Sequence, residues 1–308
     1  MDKLNESKGT PDLIVNFVND NITVIKKCIL LGDKCEFSLN DKNLKCDIII
    51  NFNKSLIKNY TGNINNKLCV KSDFKNCVIN INYPQFYDID LIIKTLYHEL
   101  THLYELYQIR YIYDKTKWVR SDALCKINRD SEIKYFIDIF YLSLPMEINA
   151  RVSSLYHYLY TKDISNLENE LKNTTEWRNC VNLHDFDVKN LYNDLIEIFS
   201  DNKETLYFIF NEFNDKMLIK TIINNDVDLY NYLMNSKRYF KKVAADYKKR
   251  MLRVINKIII ENENIEYVTY DPGIVDYKDY VERYKIETRE KNLKYLLNSI
   301  DYLNFFHS

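Results

Sequence analysis

Residues 95–110 read TLYHELTHLYELYQIR, and within them residues 98–102 read HELTH. The chain holds only five histidines in 308 residues, and two of them stand here, four apart, with a glutamate between. On a helix of 3.6 residues per turn, positions four apart share one face about 6 Å apart along the axis. His98 and His102 can therefore aim both imidazoles at one tetrahedral metal ion. Glu99 lies roughly 100° round from His98, which sets a carboxylate beside the metal without making it a ligand. That is where a general base for an activated water belongs. Ile93, Leu96, Leu100, Leu103 and Tyr107 are spaced to seat the opposite face on a core, which predicts that the histidines lie on the margin or open side of the helix.

Working outward, the preceding sequence alternates between the two periods. PDLIVNFVNDNITVIKKCILL (11–31) has apolar residues at helical spacing, with Pro11 suited to a first turn and Gly32 ending the pattern. CEFSL and CDIIINFN are short β-rich runs separated by the turn-like NDKN. KLCVKS and CVININY flank DFKN and read as a second hairpin, closed by Pro84. Asp88 or Asp90 can cap the helix that carries HELTH. The expected order is thus helix, strands, helix.

After that helix, SEIKYFIDIFYLSL (131–144) reads as helix, and Pro145 breaks it and opens another, PMEINARVSSLYHYLY. Residues 162–187 are polar and irregular apart from a helical piece around Leu167 to Leu171, which makes them the expected connecting segment. Residues 188–262 are almost continuously helical in pattern. EYVTY before the DPG turn at 271–273 is strand-like, and KDYVERYKIETREKNLKYLLNSIDYL reads as a final helix. The expected division is 1–161, 162–187 and 188–308. The expected fold class is α+β, a small mixed sheet with the HELTH helix followed by a mostly helical C-terminal region.

Composition bounds what this chain does. Net charge is -1, so the whole molecule is not an electrostatic binder of nucleic acid or membrane. The basic helical stretch KRYFKKVAADYKKRMLRVINK (237–257) reads first as a solvated face, with a phosphate or an acidic partner as the alternative. The cysteines, Cys28, Cys35, Cys46, Cys69, Cys77, Cys125 and Cys180, are odd in number and form no C-x-x-C pair. That argues against a disulfide framework or a cysteine zinc site and favours a reducing compartment. The N-terminal MDKLNESKGTPDL lacks the apolar stretch of a signal peptide, and no run is long enough to span a membrane. The expected location is cytoplasmic. Four Gly and four Pro in the whole chain favour helix over turn-rich β architecture.

A zinc site of the HELTH type needs a third protein ligand. No histidine follows closely, which removes one common arrangement. Asp122 is one candidate. Glu147 in LPMEINARVSS is stronger: it lies in the first turn of a helix whose start Pro145 fixes, and Ala150 on the same side lets that helix approach closely. Its ordinary alternative is a solvated glutamate favoured at a helix start. Arg151, four residues on, can hold Glu147, Glu99 or a substrate carboxylate. Glu105, one turn after His102, is a candidate partner to a ligand. Tyr83, Tyr87 and Arg151 are candidates for the group that steadies an oxyanion. His157, ten residues beyond Glu147, is too far along its helix for direct contact and reads as a core or surface histidine. His184 beside acids reads as a loop residue, and the terminal His307 carries no signal.

HELTH followed by EINAR on a second helix resembles the zincin superfamily of metallopeptidases, on the gluzincin side. The likeness covers roughly residues 11–160; HELTH is specific and EINAR weak. It implies that His98, His102 and Glu147 bind Zn2+, and that Glu99 is the catalytic base for a zinc-activated water that hydrolyses peptide bonds. It also implies that an extended peptide or protein substrate pairs with a sheet edge, for which CVININY is the expected strand. Thermolysin-like gluzincins carry an aspartate where this chain has Arg151, so the chain is more similar to compact zincins with an E-x-x-A second motif, including phage and bacterial peptidases. The competing reading is a structural or assembly protein, for example a phage particle component, that keeps such a scaffold with little catalysis. In either case the C-terminal helical region is a candidate surface for a protein partner.

Overall fold

The computed structural model describes residues 12–41, 44–56, 60–108, 131–217 and 222–262. The fold is α+β, with a small four-stranded mixed sheet and a predominantly helical remainder. Helix α1 (Asp12–Leu31) ends where Gly32 takes φ +64°, a left-handed turn that costs glycine nothing. Strands β1 (Lys34–Asp41) and β2 (Leu44–Ser55) form the expected antiparallel hairpin, pairing Lys34 with Asn51 and Asp41 with Leu44.

The second expected hairpin does not form. KLCVKS lies in a short helix, α2 (Asn66–Lys71), capped by Asn65, whose side chain accepts from the Leu68 N–H. The strand that precedes it is β3 (Thr61–Ile64), four residues of TGNI with no apolar alternation to betray them. CVININY is β4 (Cys77–Pro84), parallel to β2 and antiparallel to β3, so the sheet order is β1-β2-β4-β3. β4 is therefore interior, and the edge expected there belongs to β3. Cys77, Ile79, Ile81 and Tyr83 alternate toward the core. On the other face a polar ladder crosses three strands: Asn51 donates to Asn80 at 2.9 Å, and Asn80 to Asn63 at 3.1 Å.

α1 and α3 (Ile89–Gln108) pack against the sheet and each other. Asp88 caps α3, its Oδ1 accepting from the Asp90 N–H at 2.8 Å. Then follow α4 (Ser131–Leu142) and α5 (Pro145–Tyr160), which Pro145 restarts with Leu144 as its extended cap. α5 lies along α3, and Ala150 at their contact is fully buried. Residues 162–187 contain the expected helical piece, α6 (Leu167–Lys172), but also a 3-10 turn at Ile164–Asn166 and a further helix, α7 (Thr175–His184), where irregular chain was expected. Cys180 and Leu183 of α7 are buried. α8 (Val188–Ile198), α9 (Lys203–Met217) and the long α10 (Asp226–Asn262) complete the described chain, with α10 packed on α5, α7 and α8.

These helices change the setting of α3. Leu96, Leu100 and Leu103 are buried as expected, but so are Lys94, Thr101, Glu99 and His102, and Ile93 and Tyr107 are only half-buried. The histidine face is covered and not open. Its polar groups find partners inside: the Thr101 hydroxyl donates to the Tyr97 carbonyl at 2.8 Å, and Lys94 forms a short ion pair with Glu176 of α7. No described helix is long and apolar enough to cross a membrane. The strand and helix expected after residue 262, Asp122 and His307 lie outside the described residues.

Candidate metal centre

α3 and α5 bring His98, His102 and Glu147 together, the one group among the described residues whose ligand atoms converge closely enough to hold a metal. The two Nε2 atoms are 3.0 Å apart. Glu147 Oε1 lies 3.3 Å from His102 Nε2, and Oε2 lies 3.6 Å from His98 Nε2. Two donors each bonded to one tetrahedral zinc sit about 3.3 Å apart, given bonds of about 2.0–2.1 Å. The observed separations bracket that value. Glu147 is 1% exposed, so the solvated helix-start alternative does not describe it. Its Oε1 accepts a short hydrogen bond from the Tyr141 hydroxyl of α4, while Oε2 makes no hydrogen bond among the described residues and faces the Arg151 guanidinium at 3.7 Å. Arg151 answers part of the charge on this buried oxygen without bonding to it, and a metal ion would answer the rest.

The electrostatics agree. Burial, reinforced by His102, holds His98 well below its ordinary pKa and so neutral. For Glu147, burial favours protonation, but His102, His98 and Arg151 overcome it and keep the carboxylate ionised far below the usual range. Burial likewise disfavours charge on His102, yet Glu147 and Glu105 outweigh it and raise its pKa. The carboxylate thus draws positive charge onto the imidazole pair, and a divalent cation meets the same demand. Two imidazoles and one carboxylate are the donor set of a zinc site that keeps a position open.

Glu99 is 4% exposed, with Oε1 4.0 Å from His98 Nε2. Burial, helped by Glu147, lifts its pKa to about 7. The adjoining wall is backbone: at Gly62 in β3, a Cβ would fall 2.5 Å from Glu99 Oε1. The glycine lets the Glu99 carboxylate lie against the strand; a Cβ there would displace that side chain.

Arg151 stands beside the centre, 3.7 Å from Glu147 Oε2, and Glu105 Oε2 faces His102 Nδ1 at 3.7 Å. Tyr83 is elsewhere: its hydroxyl donates to the Ile29 carbonyl at 2.6 Å, and Tyr87 packs edge-on against its ring. The Tyr83 hydroxyl is thus committed to a backbone carbonyl and not to an oxyanion. His157 stacks on Tyr97 at 3.7 Å, away from the donor atoms, and His184 contacts Asp185 at 2.7 Å. Three participants were not found from sequence: Gly62, Tyr141 and Asn149. Tyr141 precedes Glu147 across a helix break, and Gly62 sits in a strand without periodicity, so neither carried a local signal. Asn149 lay in plain view within EINAR, but nothing in one chain says which neighbour it meets.

Comparison with known proteins finds no matching family model, no matching curated protein and no matching solved structure. The reading of the centre therefore stands on its own donor set and geometry.

Proposed function

We propose that the chain is a zinc-dependent peptidase of zincin type, with His98, His102 and Glu147 holding Zn2+ and Glu99 acting as general base. The observation that carries this reading is the pairing of two things in one shielded place. One is a three-donor set at zinc-ligand spacing. The other is a separate buried carboxylate beside it, Glu99, with Oε1 4.0 Å from His98 Nε2. When bound, zinc supplies Lewis acidity to a water molecule and to a substrate carbonyl. Glu99 would take a proton from the attacking water and return it to the departing amine. Arg151 keeps Glu147 ionised for its ligand role.

β3 supports a peptide substrate. Among the described strands it has β4 on one side and none on the other, and Gly62 brings that edge against Glu99. An extended peptide pairing with β3 would pass its backbone beside the general base. A scaffold that held zinc for stability alone would have no use for the buried carboxylate of Glu99. The six described cysteines are free, which suits the reducing, cytoplasmic setting that belongs to this proposal.

The test is turnover of zinc-loaded wild type and Glu99→Gln on a mixed peptide library read by mass spectrometry, with zinc content measured on both. The expected result is cleavage by wild type and a loss of at least ~10²-fold in Glu99→Gln with zinc retained. Equal, negligible cleavage by both would leave the structural or assembly reading in its place.

A further inference from the structure

Most basic residues of the 237–257 stretch point outward from α10, as a solvated face should. Arg250 does not. It is half-buried, and burial lowers its pKa, so its inward placement has a cost that calls for a partner. Its Nη2 donates to Asn149 Oδ1 at 2.6 Å, joining residues 101 apart in sequence. Asn149 in turn donates through Nδ2 to Glu105 Oε1 at 3.1 Å. The other oxygen of Glu105 faces His102 Nδ1 at 3.7 Å, both atoms shielded from water. The amide of Asn149 cannot flip without turning a donor toward Arg250, so its orientation is fixed by the guanidinium.

We propose that Arg250 is a positioning residue for the metal centre, acting through Asn149 and Glu105 on the imidazole of His102. This rests on the zinc reading above. An imidazole that gives Nε2 to a metal carries its proton on Nδ1, and that N–H needs a fixed acceptor to set the ring's tautomer and aim. Glu105 Oε2, facing Nδ1 at 3.7 Å, is the carboxylate placed to become that acceptor by a small closing of the gap. Left alone, a glutamate on the margin of a helix samples several rotamers; the Asn149–Arg250 pair restricts it to one. The long helix α10 would thereby act on zinc affinity without touching the metal.

The experiment measures zinc affinity of the full chain by competition with a chromophoric chelator, for wild type, Arg250→Met, Glu105→Gln and the double variant. Methionine keeps the apolar stem and removes the donors. Arg250→Met is expected to weaken zinc binding about tenfold, at the low end for a residue that orients a ligand. In the Glu105→Gln background the same change should add less than twofold, because the path is already cut. Arg250→Lys, which keeps a donor and the charge, should recover part of the loss. If Arg250→Met does not fold, Asn149→Ala breaks the same path and is read by the same assay. Wild-type affinity in folded Arg250→Met, or an equal loss in both backgrounds, overturns the inference. A wild-type chain that binds no zinc overturns the metal centre itself and this inference with it.

Discussion

Replacing Gly62 by alanine separates the proposed base, Glu99, from the three proposed ligands with a single methyl group. A Cβ at this position would lie 2.5 Å from Glu99 Oε1, 2.6 Å from Cγ and 2.8 Å from Cδ. Ordinary contact between such atoms needs about 3.5 Å or more, so the carboxylate must retreat by about 1 Å. The Glu99 side chain can swing more easily than two paired strands can part, so it absorbs the displacement. The stability cost should then fall at the lower end of the 1–3 kcal/mol typical of overpacking. Catalysis is less forgiving: a misplacement of about 1 Å costs on the order of 10²-fold. Gly62→Ala is expected to lose about 10²-fold in kcat/KM toward any peptide that wild type cleaves. Its zinc affinity should change by less than threefold, since no ligand atom is among those displaced. Stopped assays on one cleaved peptide, paired with chelator competition, read both quantities. Full activity in a folded Gly62→Ala, or a loss of zinc matching the loss of rate, would refute the placement of Glu99 against β3.

Two other perturbations test the surroundings. Lys94→Met leaves Glu176 unpaired in a dry site and should cost about 3–5 kcal/mol in urea unfolding, most of it recovered when Glu176→Leu is added; equal costs for the single and double variants would contradict a buried pair. His157 has its pKa lowered to about 4 by burial, with Lys257 adding to the effect. The unfolded chain therefore binds its proton more readily, and the contribution of neutral His157 is complete above about 6.5 and lost as pH falls toward 4. Wild type should lose roughly 3 kcal/mol more than His157→Gln across that window, and parallel stability profiles for the two would show that the ring is not kept neutral by the fold.

How much of this was legible in the sequence follows from what each feature depends on. HELTH, the Pro145 restart and Glu147 were readable because helical spacing and a proline fix direction and start point without knowledge of the rest of the chain. α1 ended at Gly32 for a similarly local reason. The short strand TGNI and the helix NKLCVK were not readable. The first holds its place through pairing with β4 and the second through the Asn65 cap, while the short apolar run from Leu68 to Val70 between lysines is as compatible with a strand as with one turn of helix. The alternation of CVININY reveals a face but not a neighbour, so it does not show that β4 is interior. The cover over α3 is hidden for the same reason. Amphipathic spacing shows that one face is buried, and it is silent about α5 and α7 arriving on the other with Glu147 and Glu176 to meet His102 and Lys94.

That His98, His102 and Glu147 form one zinc site is tested directly by elemental analysis after chelation and reconstitution, comparing wild type with Glu147→Ala. The predicted result is one zinc per wild-type chain, and a loss of stoichiometric zinc in a folded Glu147→Ala. Zinc-free wild type, or full zinc occupancy at unchanged affinity in Glu147→Ala, would contradict it.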